Sequence, residues 1–275
     1  MGFRFLVWNI EHFRHDNAAR TAMVAEQIRA FQPDVFGILE FQAKKAARRL
    51  VRDHFPEYDF AFTDSKMAIE ILVGWRRGRF AQVLYTQRRD LRETIHLRPG
   101  GLLSVRQPGQ TRFDNLLFLH TDSGKSLTDY ANRQKVFRKI WKIKSALQAL
   151  PAQNNQARFI ALGDMNTMGR KKTNTKKTIP AKDEVEKLKE DALKKGMRVL
   201  QKSHEKSWSN SSGSMKGELD HVIASNDLSF QTFQFVGEPG TFQIEVDGWV
   251  NLTGTARRNF IENISDHSLL FGEVL

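Results

Sequence analysis

Apolar residues along the chain gather into short runs of strand length, separated by stretches in which they recur every three or four positions. Residues 3–10 (FRFLVWNI) make the first run and predict a buried strand. Residues 17–31 place Val24, Ile28 and Phe31 on one helical face, with Asp16 as cap and Pro33 as stop. Residues 34–39 (DVFGIL) predict a second buried strand that delivers Glu40 at its C-terminal end. A helix over 42–54 follows, with Ala43, Ala46, Ala47, Leu50 and Val51 as its apolar stripe.

Strands are expected at 58–63, 69–75 and 80–86, the last two admitting a hairpin through Arg77 and Gly78, and then at 100–106 and 115–119. A basic helical pattern over 127–150 carries Val136, Ile140, Ile143 and Leu147. Residues 158–162 (RFIAL) are a strong strand pattern running into Gly163. A polar stretch, 167–182, leads to a helical pattern that ends at Lys195, with Gly196 as its stop. Strands at 219–224, 228–236 and 269–274 complete the pattern. Strands outnumber helices, the two alternate, and neither a repeat nor a compositional break divides the chain. Residues 1–275 therefore read as one domain, an α/β sandwich built on two sheets.

Composition sharpens this picture in three places. The 43 Lys and Arg outnumber the 31 Asp and Glu, a net charge of +12 that fits a polyanionic partner such as nucleic acid. The absence of cysteine excludes disulfides, thiolate metal sites and a cysteine nucleophile. The apolar N-terminal run is interrupted by Asn9, Glu11 and His12 too early for a signal peptide, and Leu6 stands where a myristoylation motif needs Ser or Thr. No run of about 18 apolar residues offers a membrane span. A soluble, cytoplasmic monomer with no evident protein partner is expected.

Candidate chemistry sits where the predicted strands end, the usual place for sites in layered α/β folds. Four segments are so placed, WNIEHF with Asn9 and Glu11, ILEF with Glu40, LGDMN with Asp164 and Asn166, and SDHS with Asp266 and His267; LHTDS with His120 and ELDHV with Asp220 join them. Each alone suits a turn or a helix cap. In this order they resemble the active site of the endonuclease/exonuclease/phosphatase superfamily, which includes DNase I-like and exonuclease III-like nucleases. The resemblance runs from Asn9 to His267, and Asp-x-Asn after a buried strand and Ser-Asp-His before the last strand are its most specific parts.

The resemblance implies a four-layered α/β/β/α sandwich with two central, mostly antiparallel β-sheets and a site at one rim. It implies hydrolysis of a P–O bond by water with Mg²⁺ or Mn²⁺, hard ions suited to oxygen donors. Glu40 would be the principal metal ligand, with Glu11 and Asp266 nearby. Asp164 would orient and deprotonate the attacking water, and Asn9 and Asn166 would hold phosphate oxygens or adjacent carboxylates. His267, its tautomer fixed by Asp220, would donate to a phosphate oxygen. His120 would contact the phosphate from the other sheet or assist the leaving group, and Glu70 is a candidate to orient it.

Two departures stand out: Leu39 replaces a Gln common before the metal-binding Glu, and Glu11 replaces a more usual Asp. His12 and His15 match no family position and read as surface residues. Alternation along a strand turns His221 away from the side that Asp220 faces.

The segment after Asn166 carries Arg170, Lys171, Lys172, Lys176 and Lys177 without an acid. It reads either as a solvated loop or as a polyanion-binding flap, and Arg133, Lys135, Arg138, Lys139, Lys142 and Lys144 add a basic helix. Trp208 and Trp249 are candidates to stack on bases or to fill the core. Nuclease action, on DNA foremost or on RNA, is the leading expectation. The alternatives are a phosphatase or phospholipase acting on inositol phosphates or sphingomyelin, and a non-catalytic nucleic-acid-binding module. The intact acidic, amide and imidazole positions argue against the last.

Overall fold

A computed structural model describes residues 2–13, 17–42, 44–65, 69–92, 97–235 and 239–275, except the side chains of residues 44–48 and 152. The chain runs β1 (Phe3–Phe13), α1 (Ala18–Ala30), β2 (Val35–Phe41), α2 (Lys44–His54), β3 (Tyr58–Phe62) and β4 (Glu70–Arg76). Next come β5 (Gln82–Arg88), β6 (Gly100–Arg106), β7 (Asp114–His120), α3 (Leu127–Gln148), β8 (Phe159–Asp164) and α4 (Ala181–Leu193). Short strands β9 (Met197–Val199), β10 (Trp208–Ser209) and β11 (Lys216–Gly217) precede β12 (Asp220–Ser225). The chain closes with β13 (Phe233–Gln234), β14 (Thr241–Phe242), β15 (Ile244–Asp247), α5 (Gly254–Asn263) and β16 (Leu269–Val274).

Two six-stranded sheets result, with orders β15-β16-β1-β2-β4-β3 and β5-β6-β7-β8-β12-β9. Each contains one parallel pair, β1 with β2 and β7 with β8, and every other pairing within them is antiparallel. A parallel pair needs a crossover, and α1 and α3 supply the two.

Alternation along β1 builds two cores at once. Phe3, Phe5 and Val7 pack between the sheets with Leu103, Leu116, Phe118 and Ile160. Leu6, Trp8 and Ile10 face the opposite way, against Val24 and Ile28 of α1, Leu50 of α2 and Phe260 of α5. The second sheet covers its outer face with Val136, Ile140 and Trp141 of α3 and Leu188 of α4. The order of layers is α/β/β/α, as expected. The sheets approach so closely that a Cβ on Gly37 of β2 would lie 2.2 Å from the Phe118 ring of β7.

Several expectations need correction. The strands flanking Arg77 and Gly78 are not a hairpin: β4 stays in the first sheet and β5 begins the second. Phe80 turns into the core between the sheets and Ala81 donates to the Arg106 carbonyl, so the chain crosses over there. The strand expected at 228–236 breaks into a bridge from Phe230 to Val274 and the two-residue β13, while Val236 lies outside the described residues. Asn17, not Asp16, caps α1; Asp16 and Ala43 lie outside the described residues, as do the side chains of Ala46 and Ala47. Among the described residues no helix is long and apolar enough to cross a membrane.

The basic helix α3 hides one of its cations. Arg133 has no exposed side-chain surface; its Nε and Nη2 donate to Glu184 of α4 at 3.0 and 2.9 Å, and its remaining N–H groups reach the carbonyls of Asp122, Gly124 and Gly169. Glu184 also accepts from the Gly169 amide at 2.7 Å. One buried ion pair thus ties together the loops after β7 and β8 and helix α4. Removing one partner strands the other charge, so Arg133→Met should lose about 3–5 kcal/mol in urea denaturation. Arg133→Lys should recover only part, because an ammonium cannot make the forked contact. A loss below about 1 kcal/mol in Arg133→Met would show that the pair does not hold these loops.

Candidate active site

The site lies on the rim where β1, β2, β7 and β8 end and their antiparallel neighbours begin. Asn9 and Glu40 come from the first parallel pair, His120 and Asp164 from the second, where they are direct register partners. Asp220 opens β12 opposite Asp164.

A bulge aims Glu40. Ile38 faces the helices and Leu39 the opposite sheet, so simple alternation would send Phe41 to the sheet side; it packs on the helix side instead. The slip is taken up at Glu40, whose φ is +61°, opposite Glu11 and His12 at +41° and +47°, and both pairings of β2 shift register there. Arg20 of α1 secures the turn by donating to the carbonyls of Ile10, Glu11 and Ile264.

Asp164 is the meeting point. Its Oδ2 accepts from Asn9 Nδ2 at 2.9 Å and lies 3.5 Å from His120 Nε2 and 3.8 Å from His267 Nε2. Its Oδ1 accepts from the Asn166 amide at 2.9 Å. The same Asn9 amide reaches Glu40 Oε1 at 3.2 Å, so one neutral donor sits between two carboxylates. Asn166, at φ +46°, spends its own side-chain amide on the Thr121 carbonyl. Ser265 Oγ donates to the Asn9 carbonyl and accepts from the His267 amide, and Trp8 Nε1 donates to the His267 carbonyl, which pins the Ser-Asp-His turn to β1.

Electrostatics separates the two histidines. Burial works against a charge on His267, but Asp220, 2.7 Å from Nδ1, together with Asp164 and Asp266, overcomes it and raises the pKa to about 10. Burial drives His120 well below 6.5, helped by Arg98, so it is neutral. Asp164 is pushed up to about 7 by burial and by Asp220, against the pull of His267. Asp266 is raised by burial, with Glu40 and Asp220 adding to it; Glu11 is raised by partial desolvation, then by Asp266 and Glu40.

Such a crowd of carboxylates suits a divalent cation. Asp266 Oδ1 is buried without a hydrogen-bond partner among the described residues, while Oδ2 accepts from Trp208 Nε1 at 2.6 Å. Glu40, His120 and Asp164 bring one donor atom each within 4.8 Å of one another, and so do Asp164, Asp220 and His267. In the second trio, Nδ1 of His267 is already engaged by Asp220 at 2.7 Å. The first trio pairs Glu40 with His120 and Asp164 rather than with Glu11 and Asp266. Glu40 is close enough to both expected acids for its charge to help raise their pKa values.

Glu70 does not orient His120. Its carboxylate accepts from the Thr63 hydroxyl and from the Ser65 amide and hydroxyl, while His120 Nδ1 has no hydrogen-bond partner among the described residues. Trp249 is core, 2% exposed, whereas half-buried Trp208 serves Asp266. His221 faces away, as alternation requires, and bonds Thr167 Oγ1 at 2.9 Å. His12 proves to contact Glu40; His15 lies outside the described residues. The segment after Asn166 folds back through a bridge between Arg170 and Ile179. Arg170 packs over Tyr130 and donates to the Lys177 carbonyl, while Lys171, Lys172, Lys176 and Lys177 are exposed.

Two cations escaped the sequence reading. Arg98, largely buried with its Nε unpartnered among the described residues, is close enough to feel Glu40, Asp164, Asp122 and Glu70. Buried Lys202 donates to the Asp220 carbonyl at 2.8 Å and lies 3.3 Å from Glu218. The signal for Arg98 was its place just before a strand. Because β6 runs antiparallel to β7, its beginning shares the rim with His120.

Residues 6–267 match the model of the Endonuclease/Exonuclease/phosphatase family. Direct sequence comparison with curated proteins returns no match. Among solved structures, D. rerio TDP2 complexed with a single-strand DNA product superposes with a TM-score of 0.66 at 17% identity, covering 100% of this chain and 99% of that one. Truncated Caenorhabditis elegans TDP2 gives 0.67 at 14% identity, covering 100% and 98%. The 3′ phosphatase NExo from Neisseria, bound to a product DNA hairpin, gives 0.62 at 12% identity, covering 99% of each chain. At these identities the likeness is one of fold.

The pairing of His267 with Asp220 has a measurable consequence. In metal-free protein at pH 8, nitrogen-resolved NMR should find both ring nitrogens of His267 protonated, and Asp220→Asn should leave the ring neutral. Because the folded pKa is raised from 6.5 to about 10, the stabilisation is complete below 6.5 and disappears as pH rises through about 10. A wild-type ring that titrates at or below 6.5 would contradict this electrostatic reading.

Proposed function

The chain belongs to the endonuclease/exonuclease/phosphatase family, and from that membership we propose that it is a nuclease that hydrolyses DNA, or RNA, by metal-assisted attack of water. Metal-dependent hydrolysis of phosphoesters comes with the family and with a donor set able to hold a cation. The observation that carries the proposal is the convergence on Asp164 Oδ2 of Asn9, His120 and His267, drawn from both ends of the chain and both sheets.

Glu40 is assigned as principal ligand for Mg²⁺ or Mn²⁺, with Glu11 and Asp266 as the nearby acids. A bound divalent ion supplies Lewis acidity at a phosphoryl oxygen. Asp164 takes the proton of the attacking water at Oδ2. Asn9 and the Asn166 amide hold that carboxylate in place, and its raised pKa suits it to accept a proton near neutral pH. His267, kept cationic by Asp220, donates from Nε2 to a phosphate oxygen, and Lys202 fixes the Asp220 backbone behind it. Neutral His120 presents Nε2 to the phosphate or the leaving oxygen from the second sheet. Arg98 adds a positive charge to the phosphate-binding side of the cleft.

Support for a nucleic-acid substrate is electrostatic. The net charge is +12, and the exposed Lys171, Lys172, Lys176 and Lys177 follow directly on Asn166. Two of the structural neighbours, D. rerio TDP2 and Neisseria NExo, are described as bound to DNA products.

A panel of plasmid, linear duplex, single-stranded DNA, RNA and inositol-phosphate substrates, with Mg²⁺, Mn²⁺ or EDTA, tests the proposal. Cleavage of nucleic acid that EDTA abolishes is expected. Phosphate release from inositol phosphates with every nucleic acid left whole would replace it. Asp164→Asn and His267→Ala, with folding checked by circular dichroism, should each lower kcat by about 100-fold or more. Near-normal turnover in either would remove that residue from the mechanism.

A further inference from the structure

We propose that His12 is a positioning residue for cation binding: it holds one oxygen of Glu40 so that the other is the one presented to the ion. This rests on the assignment of Glu40 as the principal ligand. Glu40 Oε2 accepts from the His12 backbone amide at 3.0 Å and lies 3.0 Å from His12 Nδ1. Glu40 Oε1 points the other way, 3.2 Å from Asn9 Nδ2 and 3.5 Å from His120 Nε2, into the cleft shared with Asp164.

Two acceptors at that separation would repel, so Nδ1 carries the proton and donates to Oε2. Gln42 Nε2 lies 3.2 Å from the same nitrogen, so a proton on Nδ1 requires the Gln42 side-chain amide to take the flipped orientation. The carboxylate is thus gripped on one side by two donors of a single residue. Backbone geometry supports a purpose for the grip. Glu11, His12 and Glu40 all take left-handed φ values that only a tightly determined structure retains in residues with a side chain. The two consecutive turned residues of β1 carry the His12 ring across to β2, over the bulge that aims Glu40. Ligating carboxylates depend on such partners, whose loss typically lowers metal affinity about 10–100-fold.

Calorimetric titration of the metal-free full chain with Mn²⁺ tests the assignment, alongside thermal midpoints in EDTA. His12→Ala should weaken Mn²⁺ binding about 10–100-fold with an unchanged midpoint in EDTA. His12→Asn keeps an N–H close to the Nδ1 position and should recover most of the affinity. Glu40→Gln should abolish binding at that site. If Glu40→Gln loses the ion while His12→Ala binds within twofold of wild type, the role of His12 is overturned and that of Glu40 stands. An equal loss in His12→Ala and His12→Asn would make the ring itself a ligand and overturn positioning. A midpoint lowered in His12→Ala without loss of affinity would make the contact merely structural. Wild-type binding in Glu40→Gln would defeat the Glu40 assignment and this one with it.

Discussion

A carboxylate buried among other carboxylates is costly, and the rim of this molecule is organised around that cost. Asp164 is buried within reach of Glu40 and Asp220, with Asp266 close behind. Burial and neighbouring carboxylates push Asp164 and Asp266 toward protonation, and the fold answers with neutral and cationic partners placed one by one. Asn9 donates to two of the acids, the Asn166 amide to one, His267 stands as a cation between Asp220 and Asp164, and Arg98 adds charge from the second sheet. Asp266 Oδ1 stays buried with no hydrogen-bond partner among the described residues, so the compensation stops short there.

Topology makes that placement possible. Each sheet contributes one parallel pair whose carboxyl ends lie on the rim, and each flanking antiparallel strand begins where its neighbour ends. Residues at strand ends (Asn9, Glu40, His120, Asp164) therefore meet residues at strand beginnings (Arg98, Asp220) without any long loop having to be held in place. What lies behind the rim is correspondingly rigid. The Arg133–Glu184 pair fixes the loops after β7 and β8, and Arg20 fixes the turn that carries Glu11 and His12.

Much of this was legible in the residue pattern. The strong strands and the three long helices fall within a few residues of their expected bounds, and Asn9, Glu40, His120, Asp164, Asp220 and His267 meet at one rim. What was not legible depended on which elements become neighbours. The apolar runs on either side of Arg77 and Gly78 look alike whether they form a hairpin or separate into two sheets; only the packing of Phe80 between the sheets decides. Arg133 looks like any other cation of a basic helix until Glu184, far away in the chain, is known to face it. His12 lies in the part of β1 where alternation breaks at a bulge, so its direction cannot be read from period two. Glu70 opens a strand at the same rim, yet Thr63 and Ser65 on the adjoining β3 end claim its carboxylate first. The strand β15 and helix α5 carry too few apolar residues in register to declare themselves.

The central claim is that groups from both ends of the chain and both sheets form one cation-binding cleft. Diffraction from crystals of this chain grown with Mn²⁺, recorded so that the ion's anomalous signal locates it, is the most direct measurement. A single strong peak within coordination distance of a Glu40 oxygen, on the side facing Asp164 and His267, is the expected result. A peak bound elsewhere, with the Glu40 carboxylate untouched, would contradict the account.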